Sequence, residues 1–125
     1  MGSSIVMVII GSVLGGIGRW GVQLVIKNES TSSFPWSTWL VNITGSFLIG
    51  FFFTLIDKSK TNQAEWQLLL MTGFCGGFTT FSAFSLENIR MLQNGHYLQA
   101  LIYIFSSVTI GLLAVWIGLK TGKLI

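Results

Sequence analysis

A chain of 125 residues, 51% of them hydrophobic and only 9% charged, is too apolar for an ordinary water-soluble domain and has the composition of an integral membrane protein. Its formal net charge of +3 comes from scattered lysines and arginines with no basic run, which argues against nucleic-acid binding, and its single cysteine excludes an internal disulfide.

Four apolar stretches, each near the roughly 20 residues that cross about 30 Å of hydrocarbon, cover residues 5–26, 36–56, 66–91 and 97–119. They predict an all-α membrane protein: one transmembrane domain over residues 1–125, with four helices, the third broken mid-membrane. The first stretch lacks a positive leader and runs past signal-peptide length to Ile26, so it is expected to stay uncleaved. On it Gly11, Gly15 and Gly18 share a stripe, with Ser12 and Gly16 alongside, a face suited to close helix packing. Arg19 follows on the same stripe. A central arginine costs about 2.5 to 3.5 kcal/mol on insertion scales, so Arg19 is either a snorkelling anchor or a fixed charge that steers anions into a vestibule or braces the structure.

On the second stretch Thr38, Asn42, Gly45 and Ser46 recur at spacings of three and four, a polar and small face on an otherwise Phe, Leu and Ile surface. The Asn42 amide can donate to a passing anion or tie helices together. The third stretch holds the densest signal, residues 73–85. Adjacent Gly76 and Gly77 followed by Thr79 and Thr80 lower helix propensity within an apolar run, and freed carbonyls near Gly76 and Thr79 then need water, hydroxyls or a cation. Beyond the break Phe78, Phe81 and Phe84 recur every third residue, an aromatic ladder with Thr79, Ser82 and Ser85 as hydroxyls beside it. Such a ladder packs as ordinary core or turns its positive ring edges to an anion. On the fourth stretch Tyr103, Ser107 and Gly111 stack four apart, with Ser106 and Thr109 to either side. Their hydroxyls continue a polar track or bond back to their own helix.

The connections are short: 27–35, 57–65 and an Asn94-Gly95 turn. Trp36, Trp39, Trp66, Tyr97 and Trp116 fall near segment ends, as interfacial aromatics do. Lys58, Lys60, Lys120 and Lys123 count on one side of the membrane against Lys27 and Arg90 on the other, with Arg19 nearby, a weak bias compatible with insertion in both orientations. No Asp or Glu lies in the middle of a span, and neutral donors favour a small anion over a cation. His96 is a lone turn histidine, no triad or cofactor fingerprint is present, and an enzyme is not expected.

Gly-Gly-Phe-Thr-Thr-Phe-Ser-Ala-Phe-Ser at 76–85, Asn-Ile-Thr-Gly-Ser-Phe-Leu-Ile-Gly at 42–50 and Gly-Gly-Ile-Gly-Arg at 15–19 together resemble the Fluc (CrcB) fluoride channels over all four spans. The resemblance implies an antiparallel, dual-topology homodimer in a bacterial inner membrane, with two pores that export fluoride passively and relieve its toxicity. It implies a structural sodium ion at the dimer interface, held by carbonyls matching Gly76 and Thr79. It also implies that Phe81 and Phe84 coordinate fluoride, that Asn42 and Ser107 with Tyr103 line its route, and that Arg19 matches a vestibule-side arginine; Thr38, by its spacing on the Asn42 face, is expected in the same pathway. Gly111 departs from the family, whose hydroxyl track often continues a turn beyond the serine. Two other readings compete. A small multidrug-type cation exporter would want an embedded carboxylate in the first helix, which instead carries Arg19. A noncatalytic membrane assembly subunit would pass no ion.

Overall fold

The computed structural model describes residues 2–26 and 34–125. Helix α1 spans Gly2–Val25, and α2 spans Trp36–Ser59. The third span starts with α3, Gln63–Trp66, widens without interruption into a π-helical stretch, Gln67–Cys75, and closes with the turn α4, Gly76–Phe78. After two extended residues, α5 runs over Phe81–Gln93, and α6 over Tyr97–Leu124. Among the described residues, four helical segments are therefore long and apolar enough to cross a membrane, the third of them bent. The helices overrun several of the expected ends, most clearly at Leu124, because hydrogen bonding continues into polar residues that hydropathy alone leaves out. Lys27, counted above for topology, lies outside the described residues.

Two pairings build the bundle, α2 with α6 and α1 with the third span, and glycines set both. A Cβ on Gly50 would collide with the Val115 carbonyl, and one on Gly118 with the Phe47 carbonyl, so α2 and α6 touch backbone to backbone. Gly11 and Gly15 stand in the same relation to the carbonyls of Leu69 and Phe74. The glycine stripe of α1 is thus used within the chain, against its own third span. The opposite sides of α1 and α6 expose Ile9, Val13, Ile17, Phe105, Leu112 and Trp116, apolar surface that suits lipid.

The interruption falls three residues later than the glycines suggest. Gly76 and Gly77 stay helical, and the backbone turns extended at Thr79 (φ −92°, ψ 161°) and Thr80 (φ −150°, ψ 121°). Glycine's weak propensity is offset here by packing, since a Cβ on Gly77 would lie 2.8 Å from the Ser12 carbonyl oxygen. The two threonines suit extended backbone instead. The shift divides the aromatic ladder. Phe78 precedes the break, is buried, and stacks on Phe74 at 5.5 Å, so only Phe81 and Phe84 stand together beyond it, 5.9 Å apart. Thr79 is likewise cut from the hydroxyl row and donates back to the Cys75 carbonyl at 2.8 Å.

Candidate functional site: a cleft at the broken third span

The break is closed by one side chain from α2. The Asn42 Oδ1 accepts from the Thr80 N–H at 2.8 Å while its Nδ2 donates to the Thr80 carbonyl at 3.1 Å, replacing the two backbone partners that extended geometry removes. Asn42 is held in turn by its helix, whose next turn is tied by the Ser46 hydroxyl donating to the Asn42 carbonyl at 2.7 Å. Thr80 then caps α5, its hydroxyl accepting from the Ala83 N–H at 3.2 Å. On the other side of α4, the Arg19 Nε donates to the Gly77 carbonyl at 3.2 Å. Of the roles open to Arg19, the geometry supplies a brace between α1 and the last helical turn before the break.

These elements bound a cleft of about 430 Å³. Asn42, Ser46, Gly76, Thr79, Thr80, Phe81, Phe84 and Ser107 form the part of its wall that matters chemically, with Ile49, Met71 and Val108 as apolar neighbours. No charged side chain is among the lining residues. The N-terminal turn of α5, a 13-residue helix, opens onto this wall at Phe81, and a helix N-terminus carries a partial positive charge. Adjacent serines on α6 are used differently. Ser106 accepts from the Trp39 Nε1 at 3.0 Å, whereas the buried Ser107 Oγ has no hydrogen-bond partner among the described residues. Back-bonding, the alternative for these hydroxyls, occurs at Ser106, which also donates to the Tyr103 carbonyl at 3.4 Å, and not at Ser107, which with Phe84 is among the cleft's lining residues. Trp39 therefore faces inward rather than marking an interface, unlike Trp36, Trp66, Tyr97 and Trp116, each exposed by 46% or more.

The expected site residues thus separate into groups. Asn42, Phe81, Phe84, Ser107, Gly76 and Thr79 come together around the cleft. Thr38 and Tyr103 lie outside it, in a second cluster whose centre the sequence did not single out. The Thr38 hydroxyl donates to Glu87 Oε2 and the Tyr103 hydroxyl to Glu87 Oε1, both at 2.8 Å, with Thr38 and Tyr103 almost fully buried. The two hydroxyls thus occupy both oxygens of the one carboxyl group. Only the pairing of α2 with α5 and α6 reveals this, because Glu87 is distant in sequence from Thr38 and reads locally as a span-end residue. The clusters adjoin through Phe84, whose ring lies 4.8 Å from that of Tyr103.

The model of the family described as CrcB-like protein, Camphor Resistance (CrcB), matches residues 6–119. The chain belongs to the CrcB family. Its CrcB relatives include proteins named fluoride-specific ion channel FluC: one from Flavobacterium psychrophilum, 42% identical over 96% of this chain and 97% of the relative, and one from Paramagnetospirillum magneticum, 43% identical over 90% and 89%. A third, from Rhizobium meliloti, is 44% identical over 92% of both chains. Family membership and the four apolar helices make this CrcB chain a multi-pass membrane protein.

Proposed function

We propose that the protein is a passive fluoride channel of a bacterial inner membrane, working as an antiparallel homodimer with two pores and exporting toxic fluoride down its gradient. One observation carries the reading: Ser107, whose buried hydroxyl has no partner among the described residues, lines a cleft that is walled by the start of α5 and has no acidic residue in its lining. Neutral donors and a helix N-terminus can replace part of a small anion's hydration, whereas a cation exporter needs a carboxylate in its path. The names of the relatives supply the ion.

The break serves both polarities. It turns the N-terminus of α5 toward the anion and the C-terminal carbonyls of α4 toward a cation, as half-helices do in other transport proteins. A structural sodium ion fits those carbonyls. Gly76 has no side chain, so its share of the cleft wall is backbone, and the extended geometry of Thr79 releases carbonyls from the helical ladder. Neutral oxygens suit a hard monovalent cation, and the carbonyls of Gly76 and Thr79 would hold it, adding positive charge that attracts anions. One chain offers too few oxygens to complete such a site, and a second, inverted copy supplies the rest. The same copy covers Phe81, which is 79% exposed in the single chain.

The aromatic part of the route is tested by Phe81→Ile and Phe84→Ile. Each removes a polarised ring edge and retains apolar bulk, so fluoride efflux from liposomes is expected to fall about tenfold or more with the dimer intact by size-exclusion chromatography. Unchanged efflux in both variants would remove the rings from the pathway.

A further inference from the structure

Tyr103 lies outside the cleft and is completely enclosed, with no exposed surface. Phe84 stands on its cleft side at 4.8 Å. Phe34 makes an edge-on contact with it at 5.2 Å and an interplanar angle of 79°. The rings of Phe81, Phe84, Tyr103 and Phe34 therefore form one connected series, beside which run the oxygens of Ser107, Tyr103, Glu87 and Thr38. Among the described residues, an ion leaving the Glu87 cluster past the Tyr103 ring has to displace something that covers it.

The residues packed around Tyr103 differ in how they are held. Trp39 belongs to α2, Phe84 and Met91 to α5, and Ala100 to α6, so moving any of their backbones means moving a helix. Phe34 alone of this group lies outside a helix, directly before Pro35. Its backbone is nonetheless pinned, because its carbonyl accepts from the Trp36 N–H at 2.8 Å and the following proline restricts its conformation. The remaining freedom is rotation of the ring about its own side-chain bonds, a motion of ps–ns when a ring is exposed and slower when it is packed. Phe34 also contacts Trp36 at 4.7 Å and Trp39 at 6.4 Å, aromatic surfaces onto which the ring can turn without losing all its contacts.

We propose that Phe34 is a side-chain lid over the Tyr103–Glu87–Thr38 cluster, and that its rotation controls passage of the anion between that cluster and the water beyond. The inference rests on the fluoride-channel reading. With the lid shut, the hydroxyls of Tyr103 and Thr38 stay on Glu87. With it turned aside, water reaches Tyr103 as well as the partly exposed Glu87 and can take over the Tyr103 hydrogen bond, freeing that hydroxyl to donate to the ion.

The test compares fluoride efflux from liposomes containing the parent chain, Phe34→Leu, Phe34→Ala or Phe34→Cys, each checked for assembly by size-exclusion chromatography. Smaller side chains shorten the time the lid is shut, so all three variants are expected to exceed the parent, Phe34→Ala by roughly threefold or more. A bulky methanethiosulfonate reagent should then slow Phe34→Cys, and a reducing agent should restore its rate. The parent, whose one cysteine is buried, serves as the reagent control. A variant that merely loosened the fold would not show that reversible slowing. A conducting parent with Phe34→Leu at the parental rate and Phe34→Cys indifferent to the reagent would overturn the lid. A parent that passes no fluoride would instead overturn the channel reading, and the lid with it.

Discussion

Asn42→Asp is expected to lower fluoride flux by on the order of a hundredfold, although it changes few atoms. The substitution keeps an acceptor for the Thr80 N–H but replaces the Nδ2 donor, 3.1 Å from the Thr80 carbonyl, with a second oxygen. Two oxygens then face each other at the break, and the carboxylate adds negative charge to a cleft that has none. Both effects oppose an anion. Asn42→Ala separates them, since it removes both partners of the part-buried Thr80 N–H and carbonyl without adding charge and is expected to destabilise the fold by about 1 to 3 kcal/mol in all. Liposome efflux, read beside size-exclusion profiles, checks the pair. Parental flux in Asn42→Asp would mean that the clamp on Thr80 has no part in conduction.

The second large effect distinguishes neighbouring glycines. Gly15→Ala places a methyl group against the Phe74 carbonyl oxygen and 2.8 Å from the Phe78 nitrogen, both backbone atoms that cannot move without separating α1 from the third span. Overpacking usually costs 1 to 3 kcal/mol, and a collision with backbone belongs above that range, at more than about 3 kcal/mol. Measured against a typical stability of about 5 to 15 kcal/mol, this is a severe loss. At Gly16 a methyl group meets nothing within 4 Å, so Gly16→Ala should be neutral or gain up to about 1 kcal/mol from helix propensity. Equilibrium unfolding in detergent ranks the two. Equal stabilities would show that α1 does not approach the third span this closely.

Much of this was legible in residues 73–85, because glycines and threonines in an apolar run conflict with lipid's demand for unbroken hydrogen bonding. The four spans and the small-residue face of α1 followed from hydropathy and spacing. Three things did not. The position of the break depends on whether a glycine packs against a neighbour, and Gly77 does so against Ser12, a fact of tertiary contact that propensity cannot express. The π-helical stretch Gln67–Cys75 differs from an α-helix in its i→i+5 bonding, which no residue type in it demands. The Glu87 cluster draws on α2, α5 and α6, so no local pattern contains it. The sequence left Asn42 between pore lining and interhelical tie; the structure shows the tie, in the amide bonded to Thr80, and puts Asn42 among the residues lining the cleft.

The central claim is that an uncharged cleft beside a helix N-terminus lets a small anion through unaided. Its most direct measurement is fluoride efflux from sealed liposomes loaded with potassium fluoride, with a potassium ionophore present and no proton or sodium gradient across the membrane. The account predicts release from protein-containing vesicles well above that from protein-free ones. Release that requires an imposed proton gradient, or none under any gradient, would contradict it.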